Sequence, residues 1–123
     1  MIKQFLYVGL GGALGSMLRY GTSLLTAKYY ANTFPLATFI TNVLGCFLIG
    51  VLIGYFSKNG NQNLQFLFIT GFCGGYTTFS TFAAENISLW QGHNYLTLIG
   101  YTIASVLVGF LAVALGLMLI KIF

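Results

Sequence analysis

The chain has 123 residues, 58% of them hydrophobic and 5% charged, where soluble domains carry about 25% charged residues. An ordinary soluble domain is thereby excluded. The expected solvent is a bilayer, and at roughly 20 apolar residues per crossing the length accommodates four helices and little loop. The net charge of +4 comes from five cations, Lys3, Arg19, Lys28, Lys58 and Lys121, against Glu85, with no basic cluster, which argues against nucleic acid and for charges flanking membrane spans.

The first predicted span covers 2–25. Its GLGGALGS run sets Gly11 four residues before Gly15 and Gly12 four before Ser16, the spacing that lets helix backbones approach closely. The apolar run continues past Arg19 without a small-residue cleavage site, so it is expected to remain as a span rather than be removed as a signal. Arg19, late in the span, must snorkel, line water or meet a partner. A loop at 28–35 ends on Pro35, the only proline, which suits the opening of a helix. The second span, 36–56, carries Thr38, Thr41 and Asn42 near its start. An amide such as that of Asn42 must bridge helices or face a polar path. SKNGNQN at 57–63 is the clearest turn.

The third span, 64–90, contains GFCGGYTTFSTF at 71–82. Three glycines fall in five residues, followed by the hydroxyls of Tyr76, Thr77, Thr78, Ser80 and Thr81, with Phe79 and Phe82 three apart. A continuous membrane helix has no need of this composition, whereas a helix broken at mid-depth, at about 74–78, does. Non-helical backbone survives there only where protein or a polar cavity satisfies its amides and carbonyls, and such breaks mark ion and substrate sites. The fourth span, 95–120, stacks Tyr101 and Ser105 on one face. Gly109, next in that register, has no hydroxyl. Ser105/Gly109 and Ala112/Gly116 repeat the small-residue spacing.

The titratable inventory argues against an enzyme. Glu85 is the only carboxylate and His93 the only histidine, so there is no carboxylate pair, no hydrolase triad and no metal-ligand cluster. Cys46 and Cys73 both fall inside spans and read as small buried hydrophobes. What the sequence supplies is hydrogen donors (Asn42, the Thr and Ser hydroxyls, the Tyr101 phenol) and the positive ring edges of Phe79 and Phe82. A small hydrated anion needs such donors to replace its water shell, while a cation would be served by carboxylates or carbonyl rings. Carbonyls freed at the break offer a second site, which a Na⁺ could satisfy.

Four spans put both termini on one side with Lys3, Lys58 and Lys121, against Lys28 and Arg19 on the other. Three cations against two barely select an orientation. Insertion in both senses, with the two orientations pairing as an antiparallel two-fold homodimer, is the expected consequence. In such a dimer the two breaks would meet near the axis, where one cation could hold both subunits.

GGxxGxxxRY at Gly11–Tyr20, TNxxG at Thr41–Gly45 and GGYTTFSTF at Gly74–Phe82, with Glu85 and four spans, together resemble the Fluc/CrcB fluoride channel family over nearly the whole chain. The resemblance implies an all-α integral membrane protein of the bacterial plasma membrane: a dual-topology homodimer with two antiparallel pores that pass F⁻ in preference to Cl⁻. It implies that Phe79 and Phe82 present ring edges to fluoride, that Asn42 is the pore asparagine, and that Tyr101 and Ser105 begin a hydroxyl track, with Thr78 and Thr81 in the same pore-lining region. It further implies that the carbonyls of Gly74 and Thr77 hold a structural Na⁺, and that Arg19 and Glu85 sit in vestibules. Gly109 departs from the family's hydroxyl track, and Tyr76 stands where small or apolar residues are common. Passive export of trapped F⁻ would be driven by the membrane potential, at about 2.3 kcal/mol per charge per 100 mV. A four-helix drug/proton antiporter is the rival, but it needs a carboxylate in the first span, which this chain lacks. A membrane assembly subunit without transport is the other.

Overall fold

The computed structural model describes all residues, 1–123, and is helical throughout, with no strand. Helix α1 (Ile2–Tyr29) and helix α2 (Leu36–Lys58) are joined by a turn in which Tyr30 becomes extended, and Pro35 stands at the N-cap of α2. Past Lys58 the chain turns at Asn59–Asn61, and the Asn61 side chain accepts the Leu64 amide at 3.2 Å to start α3 (Gln62–Gln65). The same rod continues as a π-helical segment (Phe66–Cys73) and a last α-helical turn, α4 (Gly74–Tyr76). Helical backbone stops there. Thr77 (φ −87°, ψ 158°) and Thr78 (φ −151°, ψ 120°) are extended, and α5 (Phe79–Gln91) begins directly after them. Finally α6 (Tyr95–Ile122) follows a short turn in which His93 takes a positive φ of 59°.

Packing is built on two parallel pairs. In the first, α1 lies along the π-helical segment and α4, with Gly11 against Leu67 and Phe72 and Gly15 against Phe72 and Tyr76. A Cβ at Gly15 would stand 2.8 Å from the Tyr76 nitrogen, and one at Gly71 would stand 2.7 Å from the Val8 carbonyl oxygen. Backbone touches backbone along this seam, which only glycine permits. In the second pair α2 runs beside α6, with Gly50 against Val113 and Gly116 against Phe47 and Val51. The Lys58 ammonium closes the far end by donating to the Ile120 carbonyl at 3.1 Å.

Only 16 of 123 residues are buried, and several of those are the seam glycines. Large apolar side chains such as Leu10, Met17, Leu107 and Phe110 point outward instead. Two helices, Leu36–Lys58 and Tyr95–Ile122, are long and apolar enough to cross a membrane. A chain that seals glycines inside and turns leucines out suits lipid rather than water.

Candidate functional site

The site is assembled around the two extended residues, and a count of their backbone groups explains how they are held. In an unbroken helix the Thr78 N–H would bond the Gly74 carbonyl. Here it donates to Asn42 Oδ1 at 2.8 Å, and Asn42 Nδ2 donates back to the Thr78 carbonyl at 3.2 Å. One side chain of α2 thus bonds both backbone polar groups of the residue at the break. On the helix side, the Cys73 carbonyl accepts both the Thr77 N–H (3.0 Å) and the Thr77 hydroxyl (2.8 Å). The Gly75 carbonyl accepts Arg19 Nε at 3.1 Å. The Gly74 carbonyl has lost its helical donor to Asn42, and no side chain replaces it. On the other side of the break, the Thr78 hydroxyl caps α5 by accepting the Thr81 N–H at 3.2 Å and donates to the Thr81 hydroxyl at 3.2 Å. A helix C-terminus and a helix N-terminus therefore face each other across two residues, carbonyls on one side and amides on the other.

A cavity of about 510 Å³ lies beside this break. Asn42, Gly74, Thr77, Thr78, Phe79, Phe82 and Ser105 line it, together with Cys46 and Cys73. Phe79 stands at its rim, 79% exposed, with its ring 5.9 Å from that of Phe82. The Ser105 hydroxyl is buried and has no partner, a state that costs about 1–3 kcal/mol unless a ligand or water answers it. The second hydrogen of Asn42 Nδ2 likewise has no protein acceptor.

Four residues singled out in the sequence lie off this lining. Thr81 is spent on the α5 cap. Tyr101 is fully buried and donates its hydroxyl to Glu85 Oε1 at 2.8 Å, while Thr38 donates to Glu85 Oε2 at 2.8 Å. The Tyr101 ring lies 5.0 Å from that of Phe82, so Tyr101 connects Glu85 to the cavity wall without touching the cavity. Arg19 is on the opposite face of α4, against Gly75.

Sequence reasoning did not pick out Thr22, whose hydroxyl lies 3.0 Å from the Tyr76 hydroxyl, nor the pairing of Thr38 with Glu85. The spacing of Arg19, Thr22 and Thr26 would have found the first, since it sets three polar residues on one face of an apolar helix. The π-helical winding of Phe66–Cys73 has no comparable signature.

Residues 6–117 match the family model described as CrcB-like protein, Camphor Resistance (CrcB). A protein of Azobacteroides pseudotrichonymphae is 46% identical over 125 residues, covering 100% of both chains. One from Flavobacterium psychrophilum is 48% identical, covering 98% of each, and one from Gloeothece citriformis is 44% identical over 96% of this chain and 97% of its own length. All three bear the name Fluoride-specific ion channel FluC. A membrane chain aligned with such relatives from end to end, and with the family model over all but its extremities, belongs to the CrcB family.

Proposed function

We propose that the protein is a fluoride channel of the bacterial plasma membrane, which lets F⁻ leave the cytoplasm down its electrochemical gradient. The observation that carries this reading is the cavity at the Thr77–Thr78 break. It gathers an unpartnered buried hydroxyl (Ser105), a free amide hydrogen (Asn42) and two phenylalanine rings beside the N-terminus of a helix, and no carboxylate. Fluoride binds water strongly and can enter only where donors replace that water. The Ser105 and Asn42 donors, the partial positive charge of the α5 N-terminus and the ring edges of Phe79 and Phe82 supply that replacement. Tyr101 and Glu85 stand behind Phe82 and fix its place. In this reading Thr81 lines the pore less directly than Thr78, since it lies off the cavity lining.

The break also fits a cation. Gly74 lines the cavity and its carbonyl is deprived of its helical donor, and the Thr77 carbonyl belongs to the same extended link. These two oxygens would hold a structural Na⁺, whose charge would neutralise the carbonyl end of the break. Because the chain's cations scarcely favour either orientation, two copies inserted in opposite senses would form an antiparallel homodimer with two pores and bring their breaks together. This is a multi-pass arrangement in which α1, α2, the interrupted third span (64–90) and α6 cross the membrane.

The decisive measurement is passive efflux from liposomes containing the purified protein, followed with a fluoride electrode and compared with Cl⁻. Rapid F⁻ release with negligible Cl⁻ release is expected. Equal release of both ions, or of neither, would exclude a selective pore.

A further inference from the structure

We propose that Arg19 and Thr22 of α1, with Tyr76 of α4, form a latch that selects which carbonyl at the end of the helical run is offered to the cavity; this rests on the cation reading above. Arg19 Nε holds the Gly75 carbonyl at 3.1 Å. One residue on, the Tyr76 hydroxyl meets Thr22 Oγ1 at 3.0 Å. Thr22 Oγ1 itself donates to the Leu18 carbonyl at 3.0 Å, so it is the acceptor and Tyr76 the donor. Tyr76 is buried, and its ring stacks on Phe72 with planes 8° apart. Beneath both, the Gly75 backbone lies directly on Gly12, where a Cβ would come 3.0 Å from the Gly12 Cα.

Three contacts on consecutive residues fix the rotation of α4 about its own axis. Successive carbonyls in a helix are turned by about 100°. Holding the Gly75 oxygen toward α1 therefore aims the Gly74 oxygen away from α1, on the side where Gly74 lines the cavity. The Cys73 oxygen is already consumed by Thr77. The latch leaves the subunit one ordered, unpaired carbonyl on α4's cavity side, next to the extended link. Arg19 is thus a positioning residue whose geometry matters, and not only a positive charge.

Lysine keeps the charge of Arg19 but not the Nε donor at its fixed distance along the side chain. Passive F⁻ efflux is measured while Na⁺ is replaced stepwise by N-methyl-D-glucamine, and amide hydrogen exchange is followed in peptides spanning 71–82. Arg19→Lys and Tyr76→Phe are each expected to raise the Na⁺ concentration for half-maximal efflux about fivefold, the effect of one lost hydrogen bond, and to speed exchange of the 71–82 amides. Thr22→Val should match Tyr76→Phe, and the double variant should be no worse than either. Wild-type exchange and wild-type Na⁺ dependence in Arg19→Lys and Tyr76→Phe would overturn the latch. If the unmodified protein shows no Na⁺ dependence, the cation reading fails by itself; the exchange rates of the same variants then decide the latch, accelerated exchange upholding it and unchanged exchange refuting it.

Discussion

At the scale of single residues, two side chains divide the work at the break. Asn42 bonds both backbone groups of Thr78, and because the Thr78 carbonyl, at the N-cap of α5, also serves the helix, Asn42→Ala orphans the part-buried Thr78 N–H at a cost of about 1–3 kcal/mol. The expected outcome is loss of F⁻ efflux together with a lowered thermal midpoint in detergent. Phe82 makes no hydrogen bond, so Phe82→Ile removes the ring edge and leaves the break intact. A drop in efflux of about tenfold, equivalent to about 1.36 kcal/mol of barrier, is expected, because isoleucine has no ring quadrupole to present to the anion. Unchanged efflux from a variant of normal stability would remove Phe82 from the anion path. Asn42 and Phe82 could both be read in the sequence as candidates. That the Asn42 amide is largely committed to the backbone could not, because its partner is 36 positions away.

At the scale of helices, the small-residue spacings locate the seams. Gly11 and Gly15 were legible as a helix-packing pair, and the structure gives them their partner, the π-helical segment and α4. Leucine at Gly15 would drive a side chain into the Tyr76 backbone, and a destabilisation of about 3 kcal/mol, the upper end for overpacking, is expected in thermal unfolding. Gly109 is the contrast. It has the same residue type and is also buried, but a Cβ there would lie 3.6 Å from Cys46 Sγ, an ordinary contact. Gly109→Ser should therefore cost well under the roughly 3 kcal/mol expected at Gly15 and would add a hydroxyl one turn beyond Ser105. Spacing alone could not separate these two glycines, because both stand four residues from another small side chain. The glycines at 74 and 75 are likewise helical, and the residues that leave the helix are the two threonines after them. Glycine at 75 serves close approach to Gly12 rather than an unusual backbone angle.

At the scale of the molecule, the outward-facing apolar surface demands lipid and, in our proposal, a second copy in the opposite sense. If orientation is decided by so few cations, adding more should fix it. Gly60→Lys with Gln62→Lys biases the 57–63 turn toward the cytoplasm by the positive-inside rule. Asn32→Lys with Thr33→Lys biases the opposite end. Each doubly substituted chain expressed alone is expected to lose fluoride efflux, and their co-expression is expected to restore it. Full efflux from either biased chain by itself would rule out an antiparallel pair.

By itself the sequence determined the solvent, the helical class and the segment in which we propose the site. These depend on local composition and on apolar runs measured against a bilayer of fixed thickness. Only the tertiary structure decided which groups at that segment are free. The chemistry of a donor or a carbonyl depends on whether a distant chain segment already satisfies it, and Asn42, Arg19, Thr38 and Thr22 reach their partners across 36 to 56 positions. Tyr101 and Ser105 looked alike on one helix face. One spends its hydroxyl on Glu85 and the other keeps it, and that difference is settled by neighbours no local pattern can name.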